Sequence, residues 1–323
     1  MLQMRQSDDF VIAATHGRSF WMIDDITPLQ QINDQVAGKS SYLYQPMPSY
    51  RMAGGEGRFN PDRQLEGQNH PGGVLIHYFA KNVSERTDAK LEILELDGDL
   101  IRAYSNKSKE RADQFDLKSG GGRFVWDMRY AGYKTFPGMV FYSSPNLGPK
   151  AVPGKYKARL TVDGQVSEQE FEIIGDPRIK TTPAEYQEQF DFLISVRDKV
   201  SEAHQAILDI RKTKEDLGYL RKKFSDDKSM VERIKKFEDE LTVIENNIHE
   251  TRNKSNQDPI NYGIKLNNRL AFLLGEQGQG DFPPTEQARQ VKELVTRLMD
   301  QELKSLAETM KNNLPSVNQL IKP

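Results

Sequence analysis

The sequence predicts a chain that is β first and α second: a terminal propeller-blade hairpin, an Ig-like antiparallel β-sandwich and a C-terminal antiparallel helical bundle. Three observations carry that expectation. Between Gly121 and Ile174 apolar and polar residues alternate, with Phe124, Trp126 and Met128 against Arg123, Asp127 and Arg129, and Tyr156, Ala158, Leu160 and Val162 against Lys155, Lys157, Arg159 and Thr161. A period of two is that of half-buried antiparallel strands. After Thr182 the period changes, and Leu193, Val200 and Ile207 recur at heptad spacing, as in a helical seam. Before Asp25, two short apolar runs flank His16-Gly17-Arg18, a hairpin too small to be stable by itself. The expected divisions are a blade remnant over residues 1–30, a loop-rich linker over 31–73, the sandwich over 74–176 and the helices over 182–323.

In chain order, Phe10–Thr15 and Ser19–Ile23 are the hairpin strands, with no further strand upstream. Two readings stand for them: an edge hairpin on the following sandwich, or the last piece of a propeller blade. Residues 30–73 are punctuated by Gly54-Gly-Glu-Gly57 and Asn69-His-Pro-Gly-Gly73. No Gly-Lys-Ser/Thr follows, so these glycines read as a surface connection, not a phosphate cradle. Val74–Phe79, Leu91–Leu94 and Leu100–Tyr104 are strands, with Asp97-Gly98 and Asp163-Gly164 as turns. Residues 105–119 are polar and read as loop. The insertion Tyr130–Val152 is long for a hairpin, and packing against a neighbouring module is its simplest use.

Thr182-Pro-Ala-Glu185 has the form of a capping box with proline at the first helical position. Val196, Ala203, Ile210 and Leu217 flank the first seam. Ser225–Asp227 breaks the helix, and Met230, Ile234, Phe237, Leu241, Ile244 and Ile248 form the inward stripe of the next. Ile264–Leu274 is a short helix. The last runs from about Thr285 to Asn313, with Val291, Leu294, Val295, Leu298, Leu306 and Met310 inward and Pro315 as terminator.

Composition narrows the function classes. The 323 residues carry a formal net charge of -2, so a duplex-binding nucleic-acid partner is disfavoured. There is no cysteine, which removes disulfides, thiolate metal sites and cysteine nucleophiles. No run of about 20 apolar residues is present, so no membrane span is expected. Met1–Asp9 lacks the basic-then-apolar pattern of a signal peptide.

Chemistry is sparse. His16 and Arg18 flank a turn glycine and are candidates for catalysis or anion binding, although a self-organised turn, with Arg18 pairing a blade carboxylate, explains them as well. Asp24 and Asp25 are candidates for an acid/base or metal pair, but neighbours on a strand point to opposite faces. The five histidines, His16, His70, His77, His204 and His249, show no ligand spacing on one element, so neither metal nor cofactor is expected. Trp21 and Trp126 lie in apolar strands and read as core.

Asp9–Leu29, with its Thr-His-Gly-Arg-Ser-Phe-Trp core, resembles the closing blade of bacterial sortilin-type, BNR-repeat propeller proteins, often labelled glycosyl hydrolase. The likeness continues through Gly121–Val162 and Leu266–Leu274. The middle module also resembles the Ig-like domain of flagellar hook-capping proteins. The resemblance implies a fragment of an exported protein whose partners are upstream blades and a protein or glycan ligand. The expected function is a non-catalytic accessory region. Two alternatives remain: a contribution to a glycoside-hydrolase-like active site, and a freestanding helical interaction or dimerisation protein.

Overall fold

A computed structural model describes residues 3–6, 10–18, 20–52 and 70–321. The first half of the chain is built of strands and the second of helices, and the chain divides into two compact units. One comprises residues 1–130 and 150–180, the other 131–149 and 181–323.

The first unit contains three sheets. Strands β1 (Gln3–Gln6), β2 (Val11–Ala14) and β3 (Phe20–Ile23) form a small antiparallel sheet in that order. The hairpin expected from the sequence therefore has a third strand, which its polar Gln-Met-Arg-Gln composition conceals. Two short helices follow, α1 (Thr27–Gln31) and α2 (Asp34–Gly38). Then come β4 (Ser41–Leu43), β5 (Ser49–Tyr50), β6 (Val74–Ala80), β7 (Ala89–Leu94), β8 (Leu100–Ser105), β9 (Gly120–Trp126), β10 (Gly154–Val162) and β11 (Gln165–Ile174). They pair as β4-β6-β9 and β5-β11-β10-β7-β8. The expected linker over 31–73 thus already supplies two sheet strands, too short for alternation to reveal. Residues 54–57 and 69 of its two glycine-rich stretches lie outside the described residues.

The two larger sheets share one buried cluster. Trp126 is wholly buried and packs edge-on against Tyr156 and Phe171, with centroids 6.2 and 5.9 Å away. Phe115 and Leu117, in the stretch read as polar loop, are buried in the same cluster. Gly122 lies opposite Tyr78, and a Cβ there would come within 2.2 Å of the phenol ring. The Asp163-Gly164 turn has both φ angles positive, +47° and +81°, and sets the Val162–Gln165 register. On the polar face Lys155, Lys157 and Arg159 sit opposite Glu172, Glu170 and Glu168. Such cross-strand pairs of opposite charge neutralise one another.

The second unit is helical: α3 (Pro183–Lys223), α4 (Lys228–Ile248), α5 (Asp258–Tyr262), α6 (Leu266–Gln277) and α7 (Glu286–Ile321). Thr182 and Glu185 make the reciprocal capping box. Asp227 caps α4 through Met230 N–H at 2.9 Å. All seven apolar positions expected inward on α3 and all six on α4 are buried. On α7 the expected face is rotated. Val295 and Leu306 are buried, but Val291 and Leu294 are 43% and 46% exposed, and Ala288, Met299 and Val317 take the inward places. Two apolar stripes run side by side on this helix, and the sequence does not say which one meets the core. Pro315 does not end the helix, which continues to Ile321. Its ring removes one amide donor, and the carbonyl so freed is that of Lys311, an exposed residue that solvent can reach.

The insertion within residues 130–152 divides between the units, with 131–149 clustering with the helices. Tyr133 and Phe136 join the helical core.

Candidate functional site

The four residues that the sequence singles out do not form one site. His16 and Arg18 are exposed on the β2–β3 turn, where Gly17 has a φ of +83°. The Arg18 carbonyl accepts the Trp21 indole N–H at 3.0 Å, a side chain–main chain bond across the turn. Trp21 itself is 58% exposed, against the expectation that it packs in a core.

Both aspartates follow the end of β3 at Ile23, so strand alternation does not govern them; Asp24 is exposed and the Asp25 side chain is turned inward. One Asp25 oxygen accepts from Thr27 N–H at 2.9 Å, and the other meets His77 Nε2 at 2.9 Å. Burial raises the Asp25 pKa, but the His77 and Thr27 donors outweigh it and hold the carboxyl below its usual range. The pair ties the segment after the small sheet to strand β6. A carboxylate on one imidazole nitrogen orients the ring, as in a general-base site. Here it fixes a loop to a strand.

The most buried polar cluster lies in the helical unit, and the sequence reading does not bring it together. His204 on α3, His249 at the C-terminal cap of α4 and Asn267 on α6 meet, all buried. Asn268 N–H donates to Asn267 Oδ1 at 2.8 Å, which fixes the orientation of that amide. Asn267 Nδ2 therefore faces His204 Nε2 and His249 Nδ1, each at 3.2 Å, and donates one hydrogen to each. The other His204 nitrogen donates to the Lys134 carbonyl. Both rings are thus neutral with defined tautomers. Burial pushes the His204 pKa down to about 4. Burial, with Arg211 and His204 nearby, lowers His249 to about 4 against the pull of Glu245. Tyr133, Phe136 and Phe141 cover the imidazoles, Phe136 edge-on to both with centroids 4.8 and 4.9 Å away. Two imidazoles and a neutral amide are a poor metal set. Among the described residues no three of His, Cys, Asp and Glu converge as ligands.

A groove of about 750 Å³ runs along α7 beside Phe192 of α3. Arg289, Lys292, Arg297 and Lys304 line it, as do Glu293 and Asp300. Lys292 lies over the Phe192 ring at 4.9 Å, and its amine is lowered in pKa by burial and by Arg289. Both signs of charge border the groove, so its chemistry selects no single ligand class. No described helix is long and apolar enough to cross a membrane.

No family model matches the chain, and no curated protein does. Among solved structures, the crystal structure of CopC from Methylosinus trichosporium OB3b is similar over 43% of this chain and 99% of that chain. Its identity is 13% and its TM-score 0.21, a superposition too poor to bear on fold or function.

Proposed function

We propose that this chain is a non-catalytic C-terminal accessory region of an exported propeller protein of the sortilin, BNR-repeat type, supporting the propeller and presenting binding surfaces to a protein or glycan. The observation that carries the reading is the β1–β3 sheet. In the β2–β3 register Val11/Ile23 and Ala13/Trp21 share one face, and Ile12/Met22 and Ala14/Phe20 the other. All eight side chains are apolar, whereas a sheet exposed on one side alternates apolar with polar residues. Each blade of a propeller lies between two neighbours and needs apolar residues on both faces. All four β3 residues are exposed, Phe20 to 78%. On this reading the two larger sheets are an Ig-like sandwich and the long helices an antiparallel bundle. The exposed positions of His16, Arg18 and Asp24, and the structural use of Asp25, favour an accessory role over a hydrolase site.

The reading frame upstream of residue 1 tests it. Blade repeats and an export signal there support the proposal; a stop codon directly upstream contradicts it. A second reading, self-association through the helices, is favoured by Val291 and Leu294 on the outer face of α7. Sedimentation of Val291→Glu/Leu294→Glu beside wild type separates the two, because only self-association makes the wild-type mass fall with this change.

A further inference from the structure

We propose that residues 131–149 form an acid-released strap over the His204–Asn267–His249 cluster, which detaches from α3 and α6 as pH falls, before the helices themselves unfold. The strap lies over both imidazoles. Its Tyr133, Phe136 and Phe141 rings contact them, and its Lys134 carbonyl accepts a hydrogen bond from His204 Nδ1. Lifting it exposes both rings to water.

The strap is held by polar clips. Ser201 Oγ accepts from Lys134 N–H at 3.1 Å, and Arg197 and Arg211 donate to the Ala131 and Pro137 carbonyls at 3.2 and 2.8 Å. Asn268 makes the firmest clip. Its Oδ1 accepts from Tyr142 N–H at 2.8 Å, and its Nδ2 donates to the Tyr142 carbonyl and Ser144 Oγ at 3.1 and 2.8 Å.

Protonation conflicts with this arrangement. A proton on His204 Nε2 or His249 Nδ1 would face an N–H of Asn267. Turning the Asn267 amide offers its oxygen to the imidazolium but sets its NH₂ against Asn268 N–H, at the residue that clips Tyr142. A buried donor facing a donor is costly in either position. The surrounding charges give no relief. Glu245 of α4, the carboxylate that acts on His249, is already engaged by Arg211 and Lys214 of α3, at 2.7 and 3.2 Å. That leaves two cations for one carboxylate. Asn267 from α6 is neutral, and from the strap come the Tyr133 phenol and the main chain of Lys134. The closed state therefore excludes the proton that the open state accepts.

Hydrogen exchange of the 323-residue chain at pH 7.5 and 5.0, corrected for intrinsic rates, tests the proposal. With each ring at about 4 when closed and 6.5 when open, strap opening at pH 5.0 becomes about 30-fold more favourable per ring. Peptides within 131–149 should lose protection at pH 5.0 while buried α3 amides keep theirs. Equal strap protection at both pH values, or loss only together with α3, overturns the proposal. Asn267→Asp sets a carboxylate oxygen against both rings and should abolish the acid response; an unchanged response overturns it. Should that variant not fold, wild-type imidazole resonances decide. Neither ring should titrate while the strap stays protected, and a ring titrating near 6.5 beneath a protected strap contradicts the proposal.

Discussion

Trp21 and Trp126 occupy similar sequence settings and opposite physical ones. Each has apolar and aromatic neighbours in its strand, Phe20, Met22 and Ile23 for one and Phe124 and Val125 for the other, yet Trp126 is wholly buried and Trp21 is 58% exposed. The difference lies in what stands above each strand. Trp126 belongs to a sheet that shares its core with a second sheet, and Tyr156 and Phe171 close over its ring. Trp21 belongs to a sheet whose outer strand is exposed along its whole length. An apolar strand records a need for cover, and the covering layer must come from elsewhere.

Substitutions sharpen that contrast. Trp126→Ala should cost about 3–5 kcal/mol in urea unfolding, the usual loss for a buried large aromatic. Trp21→Ala, in the same 323-residue chain, should change stability by less than about 0.5 kcal/mol, as at an uncommitted surface.

Acid should affect the helical unit next most. An unfolded chain takes up a proton on His204 and on His249 near pH 6.5, whereas the folded chain does so near 4. Stability from this source is full above about pH 6.5, falls between 6.5 and 4, and levels off below. The loss ends where strap opening frees the rings to protonate, and about 3 kcal/mol for each ring is its upper bound. Denaturant midpoints at pH 7.5, 5.5 and 4.5 measure it. Asp25 acts in the same direction at lower pH, since its depressed carboxyl pKa contributes stability that is lost as pH falls through the folded value.

Gly122→Ala should cost about 1–3 kcal/mol, because the added methyl overlaps the Tyr78 ring and forces it to move. The smallest measurable effect should come from Thr182→Ala, about 1 kcal/mol through loss of the α3 cap. Thermal unfolding reads both.

Much of the fold is legible in the sequence wherever one periodicity is long and unbroken. The strand Gly154–Val162, the Asp163-Gly164 turn and the Thr182 cap follow from local chemistry alone. Ser41–Leu43 and Ser49–Tyr50 are too short to display alternation. Phe115 and Leu117 are isolated in a polar stretch, so only tertiary structure marks them as core. On α7 two adjacent apolar stripes compete, and only the packed partner selects between them. The histidine cluster is harder still, because His204, His249 and Asn267 come from three elements. One signal was present: His204 sits beside Ala203 and Ile207 in the α3 seam, and His249 directly follows Ile248. A titratable residue in step with an apolar seam must be buried with a partner. Of the four residues first singled out, Asp25 is the one that the structure pairs with a half-buried side chain, and that partner, His77, lies far away in sequence.

The most direct test of the account is hydrogen exchange across Val11–Ile23, read together with Trp21 emission, in this chain and in the product of the complete reading frame. The account predicts weak protection and water-like emission in the chain alone. In the longer product it predicts at least a 100-fold gain in protection and a blue shift, on the order of 3 kcal/mol of added local stability. Full protection in the 323-residue chain, or no gain in a longer product that carries propeller repeats, would contradict it.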